Sequence, residues 1–257
     1  MKKRRIIDFK YLKPALLLTL IMVLVHLLQY YGEVNLNGYL GLKPRKLQGI
    51  IGVIFSPVLH GDFRHLFNNL PSFFFLTWAL FYFYKEIART VFAWGWLITG
   101  FWTWIFAASG NHVGASGMVY FLVVFLFVSG LMRMEKGLIA LSLAVIFYHA
   151  GIIWGVFPWE EILGDDIWRL SQEQLRYVRK VSWESHLMGA VSGGVLSYYF
   201  RKQGPQKVEL PMDDDLSALE EKYGEEYWLG KKKEEEKEKK SIFRIKYVYV
   251  NRKKNDD

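Results

Sequence analysis

A chain of 257 residues that is 52% hydrophobic and 17% aromatic, with 10 tryptophans, carries more apolar surface than ordinary soluble domains can hide. Its net charge of +8 does not mark a nucleic-acid face: residues 1–200 hold 18 Lys/Arg against 11 Asp/Glu and the rest 15 against 14, so most of the excess flanks apolar segments, where basic residues set membrane topology. The absence of cysteine excludes a disulfide, a thiolate nucleophile and a Cys-ligated metal.

Six basic residues between Lys2 and Lys13 precede an uncharged run from Pro14 to Gly32, which reads as a first span with a cytoplasmic N-terminus. In the connection that follows, Leu47 to Leu59 is apolar but broken by Gly and Pro, and its 13 residues suit an interfacial or re-entrant piece better than a span. Leu66 to Tyr84 forms a second span, closed by the turn Lys85-Glu86-Ile87-Ala88-Arg89. From Thr90 to Met132 there are 43 residues without one charge, too long for a single span and right for two. They divide at Ser109-Gly110-Asn111 into Thr90–Ala108 and Val113–Met132. A fifth span runs from Gly137 to about Trp159 and a sixth from Ser185 to Phe200, with the charged loop Glu160 to Glu184 between them. Beyond Phe200, Asp213–Trp228 is compatible with a short helix, Lys231–Lys240 with a solvated charge run and Ile242–Val250 with a strand, or the whole stretch with a disordered tail. The expected fold is therefore an all-α membrane protein, a six-transmembrane-helix bundle over residues 14–202. A basic cytoplasmic segment over 1–13 and a charged cytoplasmic tail over 203–257 flank it. With both termini inside, the inner flanks hold 13 Lys/Arg against 8 in the outer loops.

Three polar residues share one depth. Asn69 lies 16 residues from Lys85, Ser116 lies 17 from Arg133 and His186 lies 15 from Arg201, the first charge at the cytoplasmic end of each helix. These separations correspond to about 23–25 Å of helix, a level just below the outer surface of a ~30 Å hydrocarbon core. Polar groups at such depth are costly unless paired, and so are functional candidates. A serine with a histidine in reach is the minimum for nucleophilic acyl transfer. Asn69, with His65 one turn earlier and the Ser116 amide at a helix start, adds donors for an oxyanion. Gly114 and Gly117 on one helix and Gly189, Gly193 and Gly194 on the other let the two backbones approach, and Tyr120 lies where its ring packs on the imidazole.

Each element has a plainer reading. Gly-x-Ser-Gly is by itself a helix-packing pattern, and His26 and His149 read as satisfied polar groups without a role. His112 competes with His186 as base, but its position in the turn reads better as a solvent-facing loop histidine. His60 reads as a brace for the re-entrant loop that also has access to the site. Asp62, Asp165 and Asp166 are candidates for a third triad member, though their loop positions favour a Ser/His dyad.

Taken together and in order, His60, the run His65-Leu66-Phe67-Asn68-Asn69, Gly114-Ala115-Ser116-Gly117 with Tyr120, and His186 with Gly189 resemble the rhomboid intramembrane serine proteases across residues 10–202. The resemblance implies a Ser116/His186 dyad in a water-filled cavity open to the outer side, with Asn69, His65 and the Ser116 amide as oxyanion hole. It implies a substrate that is a transmembrane segment of another protein, entering from the lipid bilayer between spans two and five, with the loop Glu160 to Glu184 as a cap. It calls for neither metal nor organic cofactor, and no nucleic acid. The first outer loop lacks the Trp-Arg pair of many bacterial members, leaving its function to Pro44, Arg45 and the apolar segment after them. Two other functions compete with an endopeptidase: a catalytically silent rhomboid-like binding or escort protein, and a small transporter, for which no broken-helix pair or inverted repeat speaks.

Overall fold

The computed structural model describes residues 9–164, 171 and 182–206. The expectations for residues 1–8, for Asp165, Asp166 and most of the loop Glu160 to Glu184, and for the tail from 207 onward lie outside the described residues.

The charge-free and apolar runs become α1 (Phe9–Tyr31), α4 (Phe63–Phe83), α5 (Ala88–Phe106), α6 (Ser116–Arg133), α7 (Lys136–His149) and α9 (Trp183–Tyr199), with the short helices α2 (Leu36–Leu40), α3 (Gly52–Phe55) and α8 (Trp159–Leu163) between them. No strand occurs among the described residues, only an isolated antiparallel bridge between Leu42 and His112. The apolar segment Leu47–Leu59 breaks into α3 and two 3-10 turns, as its Gly and Pro require. The fifth run departs from expectation. Its α-helix stops at His149, and Ala150–Val156 continues as a 3-10 segment, where Gly151 and Gly155 disfavour an α-helical course ahead of Pro158.

α6 is the axis of the bundle. It packs against α4, α5, α7 and α9, and along it Phe121, Leu122, Phe125 and Leu126 are fully buried. α1 stands at the edge against α4, with Leu16, Leu17, Leu20, Leu24 and Leu28 exposed along one flank. Two of the described helices, α1 and α6, are by length and mean hydropathy (2.0 and 1.8) sufficient by themselves to cross a membrane. The two differ in setting: α1 turns most of its surface outward, whereas α6 is enclosed by its neighbours.

The closest helix pair is α6 with α9. A methyl group at Gly189 would run into the Gly117 carbonyl, and one at Gly193 would lie 2.6 Å from the Phe121 carbonyl and 3.0 Å from the Phe125 amide. The two glycines thus let α9 lie directly on the backbone of α6. Ser197, one turn further, donates to the Phe125 carbonyl at 3.2 Å.

At the opposite end of α6 from Ser116, the buried Arg133 gathers three chain segments. Its guanidinium donates to Ser129 Oγ at 2.9 Å, to the Phe200 carbonyl at 2.6 Å and to the Pro205 carbonyl at 2.9 Å, and lies 5.4 Å from the Tyr84 ring centre. This one side chain reaches two carbonyls of the segment after α9, of which that of Phe200 also accepts from the Gln203 amide at 2.9 Å. Arg133→Leu is expected to lower stability by about 2–4 kcal/mol, because it leaves buried acceptors unpaired. Thermal unfolding in detergent checks this, and an unchanged midpoint would mean that water replaces the guanidinium.

Candidate active site

Three loops converge on the start of α6. Arg45, at φ +56°, donates from its side chain to the carbonyls of Ile105 (3.0 Å) and Ala107 (2.7 Å) at the end of α5, and Trp104 Nε1 donates back to the Lys46 carbonyl at 3.1 Å. Asn111 donates to the Asn37 carbonyl (2.8 Å) and Asn37 to the His60 carbonyl (3.0 Å). The Gly114 amide donates to the Ser56 carbonyl at 2.9 Å. Arg45 thus caps orphan carbonyls at the end of α5 from the first loop.

Gly114 adopts φ +119°, a conformation suited to glycine, and a Cβ there would lie 2.5 Å from His65 Cε1 and 2.6 Å from its Nε2. His65 therefore rests against the bare backbone two residues before Ser116. His60, fully buried, stands 5.1 Å from His65 between ring centres, and its Nε2 accepts from the Ala115 amide at 3.5 Å. Burial first, then the neighbouring imidazoles of His65 and His26, hold the His60 pKa down to about 3. It stays neutral at physiological pH, as an acceptor must. The Asp62 carboxylate accepts from the His65 amide at 2.7 Å as the N-cap of α4.

Ser116 is the first residue of α6, ahead of that helix's first backbone bond, from the Val119 amide to the Ala115 carbonyl. Its own amide thus belongs to the unpaired, electropositive end of the helix. His186, in the first turn of α9 and 8% exposed, reaches Ser116 Oγ with Nε2 at 2.8 Å. Its Nδ1 lies 2.8 Å from the Gly155 carbonyl. A carbonyl can only accept, so Nδ1 carries the proton and Nε2 presents its lone pair to the serine O–H. That is the tautomer of a general base. Tyr120 stacks on the imidazole with ring centres 4.2 Å apart and 11° between planes.

Asn69 is buried one turn below His65 and donates to the His65 carbonyl at 2.9 Å. His112 is not the loop histidine facing solvent that its position led us to expect. The Ala108 carbonyl takes its Nε2 proton (3.0 Å), so its Nδ1 accepts from the Ser182 hydroxyl (2.6 Å), and Ser182 Oγ accepts from the Ser185 amide (3.4 Å) as the N-cap of α9. Both ring nitrogens are engaged in bracing the helix that carries His186. His26 packs edge-on against Phe63 at 4.5 Å with neither buried ring nitrogen in a hydrogen bond among the described residues, so it is not the satisfied polar group expected of it. His149 bonds its own helix at the Val145 carbonyl (3.1 Å) through Nδ1, while its buried Nε2 has no hydrogen-bond partner among the described residues. A cavity of about 30 Å³, lined among others by Thr99, Thr103, His112, Ser182 and Ser185, adjoins Ser116. It has room for about two waters and none for a peptide. No cluster of three or more His, Asp or Glu with metal-binding geometry is found among the described residues.

The sequence did not reveal two contributors, the Gly155 carbonyl and the His112 brace. A main-chain acceptor leaves no side-chain signature; the only trace of Gly155 was a glycine in an apolar run.

The family model described as Rhomboid domain matches residues 48–203, more than half of the chain. An uncharacterized protein of Mycobacterium bovis and one of Mycobacterium tuberculosis are each 34% identical over 170 residues, which is 62% of this chain and 62% of the relative. An uncharacterized protein of Mycobacterium leprae is 29% identical over 164 residues, 62% of this chain and 59% of the relative. The chain thus aligns with about three fifths of the length of these relatives. The matched region includes His60, His65, Asn69, Ser116, Tyr120, Gly155 and His186, but not Asn37 or Arg45 of the first loop.

The packing of α9 on α6 makes a specific demand. Gly189→Ala is expected to push α9 outward, lowering the unfolding midpoint and reducing any Ser116-dependent activity at least tenfold. Gly194→Ala, where a methyl meets nothing within 4 Å, leaves both unchanged. Paired thermal and labelling assays on the two variants check this, and equal behaviour would remove the close-approach argument.

Proposed function

Because the chain belongs to the rhomboid family, we propose that this membrane protein is an intramembrane serine endopeptidase that cuts transmembrane segments of other proteins with a Ser116/His186 dyad. The observation that carries this reading is the chain of two 2.8 Å contacts, from Ser116 Oγ to His186 Nε2 and from His186 Nδ1 to the Gly155 carbonyl. In this reading the six long helices are six spans, both termini are cytoplasmic, and the site opens to the outer side, in line with the bias of basic residues.

The chemistry follows from the geometry. Ser116 Oγ attacks the scissile carbonyl as its proton passes to His186 Nε2, and the imidazolium keeps its Nδ1–H on Gly155. The new oxyanion takes donors from the Ser116 amide, from the Asn69 NH₂, which has a second hydrogen beyond the one given to the His65 carbonyl, and from His65. His186 then returns the proton to the leaving amine as the C–N bond breaks. The small polar cavity beside Ser116 supplies the water that attacks the acyl ester, again with His186 as base. The path uses no metal or organic cofactor, and the ordinary partners are the bilayer and a helical substrate.

Ser116→Ala and His186→Ala are expected to lose nearly all turnover. Asn69→Ala should fall less, by about 10- to 1000-fold. A fluorophosphonate probe should label Ser116 in the native protein and fail on Ser116→Ala. An unlabelled native protein would instead favour a silent binding protein or a transporter, and full activity of His186→Ala would move the base role elsewhere.

A further inference from the structure

The bond that orients His186 comes from an unusual place. Gly155 lies in the seven-residue 3-10 segment Ala150–Val156, long for a helix type whose runs rarely exceed three or four residues. Nothing in the regular hydrogen-bonding of α9 or α6 holds this segment. α7, which leads into it, is pinned to α6 by Ser142, whose hydroxyl lies 3.1 Å from both the Leu126 and Phe127 carbonyls. On its far side Trp154, Phe157 and Trp159 pack ring on ring at 5.7–6.1 Å, and Trp159 Nε1 donates to the Trp154 carbonyl at 2.7 Å. Between these anchors the chain passes so close to the imidazole that only glycine fits. A Cβ at 155 would strike the Tyr120 hydroxyl and come within 3.1 Å of His186 Nδ1. The Gly155 backbone thus lies against both the ring that stacks on His186 and the nitrogen that holds its proton.

We infer that Gly155 is a positioning residue, whose main-chain carbonyl takes the place an acidic side chain holds in a triad and fixes His186 in its Nδ1-protonated form. This rests on the reading of Ser116 as the nucleophile. A neutral carbonyl orients the imidazole without placing a charge in an apolar surrounding, which a carboxylate at this depth would do at high cost. The three acidic residues weighed from the sequence are then not needed.

Replacing Val156 by its α-hydroxy analogue converts the amide after Gly155 into an ester and weakens that carbonyl as an acceptor without changing a side chain. In the full chain in detergent, fluorophosphonate labelling of Ser116 and kcat for a transmembrane peptide should each fall about three- to tenfold, with KM and thermal midpoint unchanged. The same exchange at Trp154, which weakens the Ile153 carbonyl, should leave both rates as they were. ¹⁵N NMR of the histidine rings should show His186 in the Nδ1–H tautomer in the native protein and a mixture in the Val156 ester. Equal rates in native and Val156-ester proteins, or parallel losses in the two esters, would overturn the inference. So would a mixed tautomer in the native protein, however fast it is labelled. A native protein that shows the Nδ1–H tautomer but is never labelled would instead remove the hydrolase reading on which the role depends.

Discussion

A serine hydroxyl stands one carbon from its backbone and an imidazole little further, so the 2.8 Å contact between Ser116 and His186 requires two helix backbones almost in touch. Gly189 and Gly193 supply that approach by laying α9 on the carbonyls and amides of Gly117, Phe121 and Phe125. In an apolar surrounding there is little hydrophobic gain from bringing helices together, and close packing with occasional hydrogen bonds such as Ser197 to Phe125 has to do it. The rest of the molecule can be understood as fixing the depth and rotation of these two rods.

The loops at the Ser116 end contribute by satisfying each other's exposed polar groups. Carbonyls left over at the end of α5 are taken by Arg45, the amides before α6 by Ser56 and His60, and the start of α9 by Ser182 and His112. Each such bond removes an unpaired group from a poorly hydrated region and at the same time restricts where Ser116 or His186 can stand. His60 illustrates the coupling well. Burial keeps it neutral, and only the neutral ring can accept from the Ala115 amide beside Ser116.

Much of this was legible in the residues. Uncharged runs of span length located the six long helices, because a charge in hydrocarbon is excluded so strongly that its absence over 43 residues is itself a signal. Similar counts to the next charge, 15 to 17 residues, predicted one height for Asn69, Ser116 and His186, since a helix advances by a constant rise, and Ser116 and His186 do meet. The fifth helix was less legible: apolarity shows that a segment is buried in something but not whether its backbone is α or 3-10, and α7 ends ten residues before the apolar run does. Gly155 and His112 escaped for a related reason. A carbonyl acceptor belongs to every residue type, and a histidine in a turn reveals its partners only once the chain has folded back on it.

The guanidinium of Arg133 joins α6 to the segment after α9 at the end of the bundle remote from Ser116. It therefore acts as a fulcrum, and the two helices above it as arms of a lever. Ser116 stands 17 residues up that arm, or about 25 Å. A tilt of only about 3° would then carry the imidazole roughly 1.3 Å away from the hydroxyl, beyond hydrogen-bonding range. Angular play at the Arg133 end would thus be magnified at the Ser116 end, which the Gly189 packing and the Ser182–His112 brace restrain.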